Sequence, residues 1–551
     1  MPNVMKPRAG HASRLGNRLF VLVISHLPAW VAEQLFRRFV WAVLNLGWSA
    51  ARGGDCGDGN MKGHHAKIGV STGWRSYVQV SRCSTACATG FKARQCRNGD
   101  RKKSERKSSV RHYYNMEIHS FRIAALALSC ASLLAAQPVD DTKVKQVIIL
   151  GRHGVRSPVV DNSTLNNFST QPFPVFSVPG VSNLTVNGAT NETILGGYFR
   201  LWLTQEGMLT GKDSADASSV YFRANNGQLI IDTAKAFWAG LLPGASMNIN
   251  FYPQQDSDPL FSPVAAGVAQ IDEQMAVAAV RGRLGDSEQS LATAYGPELA
   301  LTRSILFNYP ASQTPAPAAP AGKLDVTTLP IAITGSASPV SIGGLGTVVI
   351  AIDPFVMEYA DGMPAADVGW GQLTAGGISQ ITRLYNLALD LEYRTPYLAA
   401  VQSSNLASHI VRSLVQAATG NVMTGALANP STKVIMLMAA NTNITGLAGL
   451  FRLDWILPGY LADTAAPGGA LVFELRQSQS TGEYLVRTSY VTQTMDQLRN
   501  RTGLTLTAPP AIGPVFIPGC SVRNATFDCS LASFVRVARR AIDSGSVDLM
   551  N

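Results

Sequence analysis

Residues 138–551 are predicted to form an α/β fold, in which a core sheet flanked by helices carries an inserted α-rich lobe. Two observations favour this fold class. Short β-branched and apolar runs, typical of buried parallel strands, lie near both ends of the region, at 144–150 (VKQVIIL), 220–223 (VYFR) and 433–439 (KVIMLMA). Between them the apolar spacing is mostly helical. The core is expected at about 140–250 and 400–551, and the lobe at about 251–399.

Helical spacing of apolar residues predicts four helices, at 193–208, 228–242, 288–306 and 373–392. The stretch 309–323 (YPASQTPAPAAPAGK) is rich in proline and alanine, which predicts a loop or linker inside the helical lobe.

The positive charge of the chain is concentrated in its first segment. The net charge is +10, but residues 1–115 hold 20 of the 46 Lys and Arg and only 5 of the 36 Asp and Glu. The remainder therefore has 26 basic and 31 acidic residues and a net charge of −5, which gives no support to a nucleic-acid partner. Residues 1–115 are expected to be an upstream extension outside the mature protein; a targeting or regulatory extension is the alternative.

A secretory signal peptide is predicted at 116–137. It begins at Met116, and the mainly apolar 14-residue run 123–136 (IAALALSCASLLAA) ends in small side chains and is too short to span a bilayer. A buried core helix is the alternative. A signal peptide here implies a secreted protein, or a periplasmic one in a bacterium, without stable membrane insertion.

Two features downstream fit an exported protein. Cys520 and Cys529 are the only cysteines after the signal, and they are expected to form one disulfide. Asn-x-Ser/Thr sequons predict a glycoprotein in a eukaryotic host, with four of them between 162 and 191. The sequons lie at Asn162, Asn167, Asn183, Asn191, Asn443, Asn500 and Asn524.

The motif with the clearest chemistry is 152–158 (RHGVRSP), directly after the first predicted strand. Ligands of open α/β sheets bind at such strand ends. The guanidinium groups of Arg152 and Arg156 can bind phosphate oxygens in pairs, and the imidazole of His153 can attack phosphorus. The alternative is a basic surface turn with a solvated histidine.

The motif has the form R-H-G-x-R-x-P, and with it the chain resembles the histidine acid phosphatases, in particular their glucose-1-phosphatase and phytase branch. Further segments similar to this branch follow in order over nearly all of 141–540: 198–203 (YFRLWL), 361–364 (DGMP), 369–371 (GWG), 394–396 (RTP), 453–459 (LDWILPG), 467–474 (PGGALVFE) and 519–531. The resemblance implies a phosphoglycerate-mutase-like core, an α-helical lobe and a site between them.

The resemblance implies that His153 is the nucleophile and that Arg152 and Arg156 bind phosphate. Three other family positions are changed. Leu229 stands where the family has a third arginine, and in the family's H-D-T-N motif the histidine and the acid are replaced by Ala440 and Asn441.

Asp353 matches a position where related enzymes carry a glutamate, so it is a candidate substitute acid. The alternative is that Asp353 caps a helix that begins at Pro354. Apart from His153, the region after the signal holds one histidine, His409, which lies in a helical pattern typical of a structural residue.

Three functions stay open at this stage. The first is a secreted phosphomonoesterase that acts through phospho-His153 and is weak because Asn441 cannot donate an acidic proton. The second is a pseudophosphatase that binds phosphate or phosphosugars without turnover, and the third is a mutase-like transferase. The expected partner is a phosphomonoester or a phosphate anion. No cofactor and no metal ion is expected, and the oligomeric state is left open.

Overall fold

The computed structural model describes residues 140–285, 287–335 and 340–549. The upstream extension expected at 1–115 and the signal peptide expected at 116–137 lie outside these residues.

The described residues contain two sheets. The strands are β1 (Thr142–Arg152), β2 (Val220–Ala224), β3 (Asn250–Phe251), β4 (Ala332–Thr334), β5 (Ser341–Gly343), β6 (Val434–Ala439), β7 (Ala470–Ser478), β8 (Tyr484–Thr492), β9 (Ala511–Pro514) and β10 (Cys529–Ser530). The main sheet has the order β10-β8-β7-β1-β6-β2-β3, with β9 paired to β8, and β4 and β5 form a separate hairpin.

The main sheet is mixed. Strands β1, β6, β2 and β3 are parallel, and Arg152 at the end of β1 is in register with Ala439 at the end of β6. On its other side β1 pairs antiparallel with β7, which forms a long hairpin with β8. The three predicted strands are therefore confirmed, but the sheet continues on the β7 side as an antiparallel meander.

Helices cover both faces of this sheet and build the lobe. They are α1 (Asn162–Leu165), α2 (Val186–Gln205), α3 (Asp213–Asp216), α4 (Gln228–Leu241), α5 (Glu273–Leu284), α6 (Gln289–Ala294), α7 (Gly296–Leu306), α8 (Leu345–Ala360), α9 (Ala375–Tyr393), α10 (Pro396–Thr419), α11 (Asn441–Phe451), α12 (Met495–Asn500) and α13 (Leu531–Ala541). The single helix predicted at 288–306 is wrong, because Pro297 lacks an amide hydrogen and starts a second helix in the first turn of α7.

Side chains of the central strands alternate between two hydrophobic clusters. In β1, Ile148 and Leu150 pack into the cluster that contains α10, α11 and α13, whereas Val147 and Ile149 pack into the cluster that contains α2 and α4. This alternation buries the central strand on both faces, which explains why its sequence is almost continuously apolar.

The α-rich lobe has a third hydrophobic cluster. Helices α5 to α9 and the β4–β5 hairpin contribute to it, and Phe173 stacks on Phe355 at its centre with ring centroids 5.4 Å apart. The chain enters this lobe after β3 and returns to the sheet through α10.

Three further features considered in the sequence can be compared with the structure: the disulfide, the sequons and membrane-spanning helices. Cys520 and Cys529 form the expected disulfide. Asn191, by contrast, is 1% exposed and its amide donates to the Leu498 carbonyl at 3.0 Å, so its sequon is closed to a glycan in the folded protein. Among the described helices, none is both long and apolar enough to cross a membrane.

Candidate active site

The predicted motif lies at the carboxyl ends of three parallel strands. The His153 amide donates to the Ala439 carbonyl at 2.9 Å, and the Asn225 amide donates to the Met438 carbonyl at 2.9 Å. The segments that follow β1, β6 and β2 therefore meet at one edge of the sheet, which is where open α/β sheets bind ligands.

His153 is 5% exposed, and its Nδ1 lies 2.9 Å from the Gly154 carbonyl oxygen. Because a carbonyl oxygen only accepts, Nδ1 carries the ring proton and Nε2 keeps its lone pair. Burial, and then the charges of Arg152 and Arg156, hold the pKa of His153 well below its usual value. The imidazole is therefore neutral and can act as a nucleophile through Nε2.

Gly154 has no side chain, and this allows the Glu192 carboxyl to pack closely against the backbone next to His153. A Cβ at this position would lie 2.8 Å from Oε1 of Glu192, and one at Gly468 would lie 2.6 Å from the same atom. The Gly468 amide donates to the His153 carbonyl at 3.1 Å, so both glycines are part of the backbone segments that surround His153. Burial raises the pKa of the Glu192 carboxyl to about 8, which keeps it protonated at acidic and neutral pH.

Arg152 is 3% exposed, yet it uses only part of its hydrogen-bonding capacity. Its Nη1 donates to the Ala465 carbonyl, whereas Nε and Nη2 are buried without a partner among the described residues. Buried donors are normally satisfied, and a guanidinium with two free nitrogens suits a phosphate oxygen pair.

Arg156 is arranged differently from Arg152. Its Nη1 and Nη2 donate to the two carboxylate oxygens of Asp353 at 2.8 and 3.0 Å, and both side chains are buried. Burial alone would lower the pKa of Arg156, but Asp353 raises it above its usual value. Arg156 thus stays charged, but much of that charge is compensated inside the protein.

Asp353 lies inside α8, which begins at Leu345 after Gly344. The alternative of a helix cap before Pro354 is therefore wrong. As the partner of Arg156, the carboxylate accepts two hydrogen bonds, so both of its oxygens are engaged inside the protein.

The three positions predicted to differ from the family lie at the same sheet edge as His153. Leu229 is half-buried in the first turn of α4, after β2, and Ala440 and Asn441 begin α11 directly after β6. The amide of Asn441 donates to the hydroxyl of Tyr385 at 2.9 Å. Uncharged side chains therefore occupy all three places.

The retained part of this second motif has a structural role. Asn443 accepts from the Ala440 amide at 3.1 Å and donates to the Phe261 carbonyl at 2.7 Å, which ties the start of α11 to the chain before the lobe. The hydrogen bonds of Asn443 thus hold the start of α11 in place, although its neighbours Ala440 and Asn441 carry no charge.

A cleft of ≈ 150 Å³ opens next to these residues. Arg152, Asp353 and Tyr385 line it, together with mostly apolar side chains from α8, α9 and the 459–467 segment. His153 is not one of the lining residues, so its ring is largely covered. Among the described residues, no group of three or more His, Cys, Asp or Glu is placed to hold a metal ion.

Two residues near the site, Tyr385 and Glu192, belong to no sequence motif, so they could not be identified from the sequence. Tyr385 is one aromatic residue among many in a helical pattern, and Glu192 looks like a surface acid of an amphipathic helix. His409, by contrast, is buried in α10 with Nδ1 2.6 Å from the Gly425 carbonyl, as a structural histidine would be.

A mixed sheet with a buried histidine and a buried arginine at the carboxyl ends of its parallel strands is the arrangement expected of the histidine phosphatase class. Comparison with known proteins agrees. Residues 143–295 match the model of the histidine phosphatase superfamily, branch 2. Phytase AppA of Escherichia coli (strain K12) is 30% identical over 416 residues, covering 74% of this chain and 94% of the relative. The chain therefore belongs to the histidine acid phosphatase family.

Two further relatives span the same region. Glucose-1-phosphatase of Providencia rettgeri is 25% identical over 433 residues, which cover 77% of this chain and 99% of that protein. The solved structure of Hafnia alvei phytase in complex with myo-inositol hexakis sulphate is 28% identical with a TM-score of 0.66, and it covers 74% of this chain and 100% of that one.

Proposed function

We propose that this chain is an exported, slow phosphomonoesterase that holds the phosphoryl group with Arg152 and transfers it to His153. The observation that carries the proposal is the Arg152 guanidinium, which is 3% exposed, lines the cleft and keeps Nε and Nη2 unpaired beside a neutral imidazole. The names of the relatives, phytase and glucose-1-phosphatase, support a phosphate monoester as substrate. The disulfide supports an oxidising compartment.

The reaction has two steps. Nε2 of His153 attacks phosphorus, an N–P bond forms, and the bond from phosphorus to the leaving oxygen breaks. The leaving oxygen takes up a proton and departs as an alcohol or phenol. A water molecule then attacks phospho-His153, which releases inorganic phosphate and restores the imidazole.

The charges of the site explain why the rate is low. The amide of Asn441 has no acidic proton to give to the leaving oxygen, and this assistance is typically worth about 10²–10⁴-fold. Leu229 and Ala440 supply no positive charge to the transferring phosphoryl group, and Arg156 shares its charge with Asp353. Arg152 is therefore the main source of positive charge that stabilises the phosphoryl group.

A pseudophosphatase is the second candidate function. The observation in its favour is the covered position of His153, which does not line the cleft although Arg152 does. Such a protein would hold a phosphate or a phosphosugar at Arg152 without forming the N–P bond.

Calorimetric binding of inorganic phosphate, combined with turnover of p-nitrophenyl phosphate from pH 4 to 7, tests the proposal on the full chain. Arg152→Met is expected to weaken phosphate binding by about tenfold or more, because it removes charge-assisted hydrogen bonds. Arg303→Met is the control, since Arg303 is half-buried and pairs with Asp325 in the helical lobe.

Three outcomes separate the candidates. Phosphate binding with turnover that His153→Gln abolishes supports the esterase. Phosphate binding without turnover supports the pseudophosphatase. Absence of phosphate binding, or binding that Arg152→Met leaves unchanged, overturns both.

A further inference from the structure

The charge of the cleft restricts what can be attached to the phosphate. Among the described residues that line it, Arg152 is the one cation, whereas Asp353 and Asp496 are acidic. Asp353 is neutralised by Arg156. Asp496 is exposed in the first turn of α12, where its carboxylate accepts from the Tyr359 hydroxyl at 2.9 Å. Beyond the single phosphate held at Arg152, the lining therefore offers no positive charge and one negative charge.

A nearby arginine does not change this balance. Arg394 belongs to the R-T-P segment, but it pairs with Asp390, Asp454 and Asp463 and does not line the cleft. A substrate with several phosphates would have to leave the additional dianions unpaired beside Asp496. Juxtaposed like charges oppose binding and thus exclude wrong partners.

The rest of the cleft is suited to an apolar group. Eight apolar residues line it, from α8, α9, α12 and the 459–467 segment: Val356, Met357, Ala375, Ile378, Leu461, Ala465, Pro467 and Met495. The hydroxyl of Thr382, which also lines the cleft, donates to the Ile378 carbonyl at 2.7 Å and is engaged within its own helix. A mostly apolar lining with a small number of charged and polar groups is typical of sites for small ligands that have an apolar part.

We infer that the preferred substrate is a singly phosphorylated ester whose leaving group is apolar and flat, such as an aryl monophosphate, and that polyphosphorylated inositols are rejected. This inference rests on the proposed function, because it assumes that the phosphate sits at Arg152. The phosphate would pair with Nε and Nη2 of Arg152, and the ring would lie against the methionine and isoleucine side chains.

Binding of non-hydrolysable analogues tests the inference without any need for turnover. Calorimetry on the full chain compares phenylphosphonate, methylphosphonate and inositol hexasulfate. Phenylphosphonate and methylphosphonate carry the same charge and differ in the ring. We expect phenylphosphonate to bind about tenfold or more tightly than methylphosphonate, as burial of a ring should produce, and inositol hexasulfate to bind more weakly than phenylphosphonate.

A charge reversal in the lining provides the second arm. Asp496→Lys should strengthen binding of inositol hexasulfate severalfold and by a larger factor than binding of methylphosphonate, because the hexasulfate carries additional anionic groups. Glu483→Lys is the matched control, because Glu483 is an exposed acid in the β7–β8 turn that does not line the cleft. Glu483→Lys should change the affinities for inositol hexasulfate and for methylphosphonate much less than Asp496→Lys changes the affinity for inositol hexasulfate.

The possible failures are distinguishable. If phenylphosphonate and methylphosphonate bind equally, or if inositol hexasulfate binds more tightly than phenylphosphonate, the inferred substrate class is wrong while the phosphate site stands. The same holds if glucose 1-phosphate is hydrolysed with a higher kcat/KM than phenyl phosphate. If inorganic phosphate itself does not bind, the proposed function fails and the inference fails with it.

Discussion

Arg156 and Asp353 form a two-pronged buried ion pair between the loop after β1 and helix α8 of the helical lobe, 197 positions apart in the chain. The pair links the nucleophile loop to the lobe that forms one wall of the cleft. It also lowers the net positive charge available to a phosphate, and we expect Asp353 to act as a positioning residue rather than as a free acid.

Replacing Asp353 by Asn tests that role. We expect the variant to lose stability, because breaking a buried ion pair costs about 3–5 kcal/mol. Turnover of p-nitrophenyl phosphate and of phenyl phosphate should change by the same factor, since a positioning residue affects both substrates alike. A general acid matters more for phenyl phosphate, whose leaving group is poorer.

Steady-state kinetics and thermal unfolding provide the measurements. Asp325→Asn serves as the control for stability, because it breaks the Arg303–Asp325 pair in the lobe and should leave both rates unchanged. A selective loss of phenyl phosphate turnover in Asp353→Asn would show that Asp353 is the acid after all.

Introducing charged side chains at positions 440, 441 and 229 should raise the turnover rate of phosphate monoesters. The double variant Ala440→His/Asn441→Asp is expected to raise turnover of a substrate with a poor leaving group by about 10²-fold or more, because it supplies a proton donor at the strand end. The gain for p-nitrophenyl phosphate should be smaller. Adding Leu229→Arg should increase both rates, since it adds a cation to the phosphoryl group itself.

Single variants serve as controls for this series. Ala440→His without the acid should act on both substrates about equally, because it contributes positive charge and no proton to the leaving oxygen. If the double variant is no faster than the unmodified protein on either substrate, the assignment of these two positions is wrong.

Much of this site was predictable from sequence, and the reasons are local. A β-branched run followed directly by R-H-G identified β1 and His153, and the resemblance to the histidine acid phosphatases identified Leu229, Ala440 and Asn441, which follow β2 and β6 in the structure. Such patterns depend on neighbours in the chain, where strand periodicity and loop composition are informative.

The unpredicted features depend on contacts between distant segments. The Arg156–Asp353 pair, the Asn441–Tyr385 hydrogen bond and the burial of Glu192 each join parts of the chain that have no shared sequence pattern. The β7–β8 hairpin was also not predicted as part of the sheet, since its apolar residues alone do not show which strand it joins.

The buried carboxyl of Glu192 predicts how stability depends on pH. Its pKa is raised to about 8 by burial, from an ordinary value of 4.5. The stabilisation is therefore fully present below about pH 4.5 and is lost as pH rises through about 8, because the unfolded state releases the proton first. We expect the free energy of unfolding to fall between pH 5 and 8.

Glu192→Gln, which resembles the protonated carboxyl, should flatten this dependence by about 1–3 kcal/mol. Urea unfolding at pH 5 and at pH 8 measures the effect. Glu483→Gln, at an exposed turn, is the control and should leave the slope unchanged. If Glu192→Gln and the unmodified protein lose equal stability between the two pH values, Glu192 is not protonated in the fold.

The phosphoenzyme itself tests the central claim most directly. The full chain is mixed with p-nitrophenyl phosphate, quenched in alkali within milliseconds to seconds, and digested for mass spectrometry, since an N–P bond to histidine survives base and is lost in acid. We predict a phosphate on His153 that appears at acidic reaction pH and is absent in His153→Gln. Turnover that persists in His153→Gln, or a phosphate carried by another residue, would contradict it.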